Sequence, residues 1–440
     1  MPFSTVLLIR RKRMGVDTVC WLPETAYGLS KFCVAAAYAL SVSVKAYDGG
    51  EEMIYWDNGA TTWPKPMSVR SAVGQAIQRY GANPGRAGHA MAMETAEQVY
   101  ACREKAAEFF GLDDPSGVVF TLNCTASLNT VIRGLLDKGG RAVCSDLEHN
   151  AVCRPLAALG GNYPRYDVAT WSADEEETVE HFRRAICADT KLIVCTHASN
   201  VFGVTFPIRQ LGALAREYGL LFCVDAAQSA GVLPLDMQAY GIDYLCVAPH
   251  KGLYAPMGTG LLLCREKERL LPLVRGGTGS HSLQIRQPEE LPDRLESGTP
   301  NVAGICGVHA GLRFVEEKGK ERIYRHEMGL VRYVFDRLSE NPRVRLYTSR
   351  PELGKSAPVL SFTVEDLPSE QVATQLNEKG VAVRAGLHCA PWAHTRFGTV
   401  PDGTVRLVPS AFSTMEEAEK ICKFIWEITK KSLHTRENMV

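Results

Sequence analysis

The chain has no charge bias: 49 Lys and Arg balance 49 Asp and Glu, so nothing in it is drawn to a polyanion, and no nucleic-acid partner is expected. Paired cysteines are also missing. None of the 14 cysteines falls in a C-x-x-C pair or in His/Cys spacing suited to a metal, so no metal centre and no disulfide framework is expected. Cys195, Cys223 and Cys246 lie instead in apolar runs, where a free thiol behaves as a small hydrophobe. Scattered free thiols fit a reducing compartment, and a cytoplasmic location is the expectation. There is no apolar run of the roughly 20 residues that a spanning helix requires, so no membrane association is expected. Internal repeats and low-complexity tracts are absent as well. What is left, 45% hydrophobic and 22% charged, is the composition of an ordinary globular enzyme with room for two or three domains.

The first fifty residues differ from the rest. They carry a basic stretch, Arg10 to Arg13, and then a mixed apolar stretch, Phe32 to Val44. The apolar part comes late for a signal peptide and no clean small-residue cleavage site follows it. Residues 1–52 are read as an N-terminal extension, or a misassigned translation start, outside the fold that begins at Met53.

From Met53 onward helix-like and strand-like segments alternate. Met93 to Phe110 carries apolar residues at Ala96, Val99, Cys102, Ala106 and Phe109, a helical spacing, with Gly111 placed to end it. Val118 to Thr121, Arg141 to Cys144, Leu192 to Thr196, Leu221 to Val224 and Tyr244 to Val247 are short apolar runs ending in polar residues. Strands separated by helices predict an α/β fold with a mostly parallel sheet, whose ligands bind beyond the carboxyl ends of the strands. A large domain is expected over 53–310 and a smaller C-terminal α/β domain over 311–440. In the latter, Ser369 to Lys379 reads as a helix, Val381 to Val383 as a strand, and Thr414-Met415-Glu416-Glu417 as the capping box of a last helix.

The chemistry-bearing residues stand at the predicted strand ends. Lys251 follows an apolar run and His250; most lysines are solvated surface charges, but one partly desolvated at a strand end has the lowered pKa that carbonyl chemistry uses. Asp225, which otherwise reads as a helix N-cap, is a carboxylate suited to a pyridine nitrogen, and the pair points to pyridoxal 5'-phosphate (PLP). Gln228 and His149 are placed to touch such a ring, or are plain surface and loop residues. Asn123-Cys124-Thr125 opens a helix after a strand, a natural phosphate anchor though a common geometry. Cys389 follows Arg384 and His388, cationic neighbours that would favour thiolate; a buried structural cysteine is the alternative. Arg406 in a strand-like run suits a clamp on an α-carboxylate, or a structural ion pair.

These residues belong to longer matching stretches. They are Tyr55-Trp56-Asp57-Asn58-Gly59-Ala60-Thr61-Thr62, Glu148-His149-Asn150, His197-Ala198-Ser199-Asn200-Val201-Phe202-Gly203 and Val224-Asp225-Ala226-Ala227-Gln228. Further along come His250-Lys251-Gly252, Glu296-Ser297-Gly298-Thr299-Pro300-Asn301 and Arg384-Ala385-Gly386-Leu387-His388-Cys389-Ala390. In this order they resemble the class V aminotransferase superfamily and, within it, the group II cysteine desulfurases and the related selenocysteine lyases.

The resemblance implies a fold-type I PLP enzyme, with a mostly seven-stranded sheet in the large domain and residues 53–67 packing on the small one. It implies a homodimer with active sites at the subunit interface. Carried over, Lys251 is the PLP lysine, Asp225 meets the pyridine nitrogen, and His149 stacks on the ring. Asn200 and Gln228 match contacts on the phenolic-oxygen side, while Cys124, Thr125 and His250 match phosphate contacts. Thr299 matches a phosphate contact reaching over from the second subunit. Arg406, with Asn200 and Arg384, matches the substrate-binding set, and Cys389 matches the thiol that receives sulfur. The implied reaction converts L-cysteine to L-alanine and passes sulfur, through a persulfide on Cys389, to an acceptor protein or small thiol such as those feeding iron–sulfur cluster assembly. Selenocysteine lyase, aminotransferase or β-lyase activity on the same scaffold are the alternatives. The chain departs from the family at Ala248, where a hydroxyl residue is usual, at Pro249, and at Gly59, where alanine is customary.

Overall fold

The computed structural model describes residues 53–84, 88–160, 164–266 and 270–437, with side chains described as far as residue 430. The expected extension, 1–52, lies outside the described residues.

The short strand β1 (Ile54–Tyr55) is followed by seven strands that build one sheet: β2 (Val118–Thr121), β3 (Arg141–Ser145), β4 (Tyr166–Ala169), β5 (Thr190–Thr196), β6 (Leu221–Asp225), β7 (Tyr244–Val247) and β8 (Gly260–Cys264). Their spatial order is β2-β8-β7-β6-β5-β3-β4. Pairs within β7-β6-β5-β3-β4 are parallel, and only β8 runs against its neighbours β7 and β2. The mostly parallel α/β architecture expected from the alternating pattern is the one observed.

Side chains alternate across each strand, so a sheet covered on both faces needs apolar residues at every position. That is the content of the run Leu192–Cys195. Leu192 and Val194 enter one core with Ala142, Cys144 and Cys223, while Ile193 and Cys195 enter the opposite core with Val143 and Val224. Burying a Leu, Ile or Val side chain fully contributes about 1.5–3 kcal/mol, which makes these runs the main stabilising element.

The helix Ala90–Phe110 ends at Gly111, whose φ of 67° is left-handed and suits glycine. Its buried face is Ala92, Thr95, Val99, Cys102, Ala106 and Phe110. The sequence placed Phe109 on that face; instead Phe109 stays half-buried, edge-on to Phe110 with ring centroids 4.9 Å apart. The two residues lie 100° apart on a helix, and the sheet takes the later one.

The remaining strands are β9 (Val344–Leu346), β10 (Leu360–Val364), β11 (Val381–Ala382) and β12 (Val405–Leu407). β10 lies between β9 and β12, antiparallel to both. β1 pairs in parallel with β11, which carries Ile54 and Trp56 into a third core with Leu330, Phe362, Leu407, Ile421 and Ile425. The last helix is closed by the reciprocal pair Glu417 N to Thr414 Oγ1 (3.2 Å) and Thr414 N to Glu417 Oε2 (3.0 Å). Ala418, Ile421, Ile425 and Ile428 form its buried stripe. Among the described residues, no helix is long and apolar enough to cross a membrane.

Candidate active site

Parallel strands deliver their carboxyl ends to one edge of the sheet, and a cavity opens there. It measures about 240 Å³ and is walled by Cys124 and Thr125 after β2, His149 after β3, Thr196 at the end of β5 and Asn200 beyond it. Asp225 at the end of β6, Gln228 beyond it, and His250 and Lys251 after β7 add to that wall. From the third core come Arg384, His388 and Arg406, the last on β12 and bridged to Arg384 across the backbone.

The Lys251 side-chain amine makes no hydrogen bond or ion pair among the described residues. Burial pushes its amine below the ordinary lysine range, the Arg406 guanidinium adds to this, and Asp225 opposes it. A neutral amine is the nucleophilic form. The Asp225 carboxylate is buried and accepts from Ala227 N through Oδ1 at 2.9 Å, but the chain turns here and the next helix is Met237–Tyr240, so Asp225 caps no helix. Cys124 lines the cavity, its thiol turned to Asp225 Oδ1, 3.6 Å away. Burial, then the carboxylate, raise that thiol well above its usual range and keep it protonated.

His149 caps the helix Asn150–Leu159, its Nδ1 accepting from Ala151 N at 3.0 Å, which leaves the proton on Nε2. Burial holds the ring below its usual pKa, so it is neutral. Thr125 lies at the start of the helix Cys124–Leu136, whose N-cap Asn123 accepts from Ala126 N at 2.9 Å. Asn200 Nδ2 donates to His388 O (2.8 Å) and Gln228 Nε2 to Gly59 O (3.0 Å), so both amides are oriented by the protein. The His250 ring is pushed down to about 4 by burial and by the charges of Lys251 and Lys65, and its Nδ1 is buried without a partner.

Arg406 is 1% exposed and makes the structural ion pair that the sequence left open. Its Nη2 donates to Asp57 Oδ1 at 2.9 Å and its Nη1 to Asn200 O at 2.8 Å. It also walls the cavity, so the pairing orients a cation that stays within reach of a ligand. A Cβ on Gly59 would stand 3.0 Å from the Arg406 Cζ and 2.9 Å from Val408 Cγ2. Absence of a side chain there is what lets the guanidinium lie flat against the backbone.

Cys389 is exposed and lies outside the cavity wall, with its Sγ 3.8 Å from the Nη2 of Arg384. His388 and Cys389 both have left-handed φ values, 46° and 57°, a conformation that non-glycine residues adopt only when held. Three hydrogen bonds hold them: Asn200 Nδ2 to His388 O, Asn150 N to Cys389 O (2.8 Å), and His388 Nε2 to Thr404 O (2.9 Å). The last bond also corrects one expectation. His388 is buried and pushed down to about 2, by burial first and by Arg406 next, so it is a neutral ring and no cationic aid to the thiol. Arg384 is the cation that remains beside Cys389. Thr299 is exposed and outside the cavity wall formed by its own chain.

Three groups at the site carried no role in the sequence reading. Asp57 orients Arg406. Lys65 grips the carbonyl of His250 at 2.7 Å. Glu148 is fully buried, and burial raises its carboxyl to about 8. Its Oε1 accepts from Ser145 Oγ (2.6 Å) and Thr196 N (2.9 Å), tying the ends of β3 and β5 together beneath the cavity. Asp57 and Glu148 stand inside motifs quoted above, and Lys65 three residues beyond one; nothing in the spacing tells which side chains turn inward. No cluster of three or more His, Cys, Asp or Glu suited to a metal occurs among the described residues.

A half-buried side-chain amine with no hydrogen-bond partner among the described residues, sharing a cavity with a buried carboxylate, an orphaned imidazole nitrogen and a helix N-terminus, is a donor set that fits PLP. The chain belongs to the class V aminotransferase family, whose model, Aminotransferase class-V, matches residues 54–421. It is 30% identical over 383 residues to a probable cysteine desulfurase of Synechocystis sp., covering 84% of this chain and 89% of the relative. It is 32% identical over 400 residues to a probable cysteine desulfurase of Pyrococcus abyssi, covering 86% and 95%. Among solved structures, the apo cysteine desulfurase from Thermococcus onnurineus NA1 superposes with a TM-score of 0.79 at 32% identity, covering 86% of this chain and 95% of that one.

Proposed function

We propose that the chain is a PLP-dependent cysteine desulfurase, converting L-cysteine to L-alanine and taking the sulfur onto Cys389. The observation that carries this reading is the exposed Cys389 thiol, 3.8 Å from an arginine that also walls the cavity lined by Lys251 and Asp225. An aminotransferase or β-lyase has no use for that thiol.

PLP, when bound at Lys251, supplies the electron sink that labilises the substrate's α-proton and its Cβ–S bond. Lys251, its amine held below the ordinary lysine range by burial, takes the α-proton from substrate carbon and returns it on the way to product. Asp225 would offer its carboxylate to the ring nitrogen. His149 would stack on the ring, and Asn200 and Gln228 would contact it on the phenolic-oxygen side. Thr125 and His250 would hold the phosphate, joined in a homodimer by Thr299 of the second copy. Arg406, with Arg384, holds the substrate carboxylate. The Cys389 thiolate attacks the substrate sulfur: an S–S bond forms, the Cβ–S bond breaks, and the electron pair left on carbon is protonated to give alanine. The persulfide then yields its outer sulfur to an acceptor thiol, of a carrier protein or a small molecule, in a cytoplasmic route such as iron–sulfur cluster assembly. The large and small domains meet near residue 310 in this reading.

Intact mass spectrometry after mixing the protein with L-cysteine tests it. The expected result is one added sulfur atom on wild type and none on Cys389→Ala, with alanine formation lost in the variant. Full alanine formation by Cys389→Ala removes the persulfide role. Turnover of selenocysteine alone, with no reaction of cysteine, points to a selenocysteine lyase.

A further inference from the structure

Lys65 is a half-buried cation with no acidic neighbour among the described residues. Its three N–H bonds go to neutral oxygens: His250 O at 2.7 Å, Thr62 Oγ1 at 2.8 Å and Thr61 Oγ1 at 3.4 Å. Burial is the only influence on it, and brings the amine down to about 7. A lysine that loses hydration without gaining a carboxylate is in a costly position, and such charges are retained where another anion compensates them.

The surroundings say which anion. Lys65 holds the carbonyl of the residue whose ring walls the cavity, and whose Nδ1 is buried without a partner. Its charge also reaches that ring, since it depresses His250 alongside Lys251. Any anion received by His250 therefore feels Lys65 across the same short path. Thr62 fixes the geometry, its Oγ1 reaching His250 O and Lys251 O, each at 3.1 Å. On the cavity side, the chain carries Ala248 two residues before His250, where nothing but a methyl group is offered.

We propose that Lys65 is an electrostatic anchor for the phosphate group of the cofactor, standing behind the His250 segment and offsetting the hydroxyl missing at Ala248. The ligand class is a phosphomonoester dianion. This rests on the reading that the cavity takes PLP at Lys251. Lys65 is a positioning residue: it acts by charge through the His250 segment and touches no reacting atom.

The test compares cofactor loss from holoenzyme carrying either PLP or pyridoxal, which lacks the phosphate, in wild type, Lys65→Met and Lys65→Arg. Release is followed by the cofactor absorption band during dialysis. Lys65→Met is expected to lose PLP about tenfold faster, with pyridoxal loss changed by less than about twofold, and Lys65→Arg to restore most of the difference. Added salt should speed PLP loss from wild type more than from Lys65→Met. Equal acceleration of both cofactors would mean that Lys65 only braces the loop, and overturns the proposal; so does no acceleration of either. Should Lys65→Met fail to fold, the comparison of Lys65→Gln with Lys65→Arg reads the same contrast. Failure of borohydride to fix any cofactor on Lys251 in wild type is a separate outcome, which removes the PLP reading itself.

Discussion

Asn200 Nδ2 donates to the main-chain oxygen of His388 at 2.8 Å, so a cavity-wall amide also holds the loop that presents Cys389. The loop carries two consecutive left-handed residues, and each costs of the order of 1 kcal/mol unless the surroundings impose it.

Asn200→Ala removes one of the three bonds that impose it. A buried hydrogen bond contributes about 1 kcal/mol, so sulfur loading of Cys389 in a single turnover should slow roughly five- to tenfold. The cofactor band should persist. A stopped-flow or quenched mass-spectrometric time course measures the loading rate.

Gly59→Ala places a methyl 3.0 Å from the Arg406 guanidinium and 2.9 Å from Val408, so either the arginine or the strand must shift. The Asp57 pairing would be strained and the carboxylate end of the cavity narrowed. The expected outcome is a higher KM for cysteine, about tenfold, with kcat less affected. Steady-state alanine formation separates the two constants.

Arg103 forms a forked pair with Glu296, Nη1 to Oε1 at 2.8 Å and Nη2 to Oε2 at 2.6 Å, and Phe120 N adds a third bond to Oε1. Both side chains are largely buried. Glu296→Ala would strand the guanidinium and should lower stability by about 3–5 kcal/mol, whereas the double variant Arg103→Met, Glu296→Leu should recover part of the loss. Urea denaturation midpoints report the difference.

Glu327 is buried and accepts from the Tyr254 hydroxyl at 3.1 Å; burial raises its carboxyl from 4.5 to about 8. A carboxyl raised in the folded state binds its proton more tightly there than when unfolded. Its contribution is therefore full below about pH 4.5 and fades as pH climbs through 8. Glu327→Gln, a neutral isostere, should flatten the fall in thermal stability over that window. Melting curves at several pH values for both proteins decide it.

Much of the fold was legible because hydrophobic periodicity reports burial directly. The continuous runs of β3, β5, β6 and β7 could only be strands covered on both faces, and the polar residues that end them lie where a parallel sheet gathers its ligands. β8 was not read as part of the sheet: Gly260–Cys264 is one more apolar run, and its antiparallel direction leaves no mark in composition. The site residues Lys251, Asp225, His149 and Cys389 were picked out by chemical type at strand ends and within a loop. The roles of Asp57, Lys65 and Glu148 were not, since a charged residue looks the same in sequence whether it faces water or a cavity.

The sequence by itself determined the layering of the sheet, the candidate residues for the chemistry and the family they belong to, because these follow from local pattern and residue type. Only the tertiary structure decided that His388 is a neutral strut, that Cys124 turns to Asp225, and that Arg406 is shared between Asp57 and the cavity. Protonation and orientation depend on burial and on partners distant along the chain, and the fold alone brings those together.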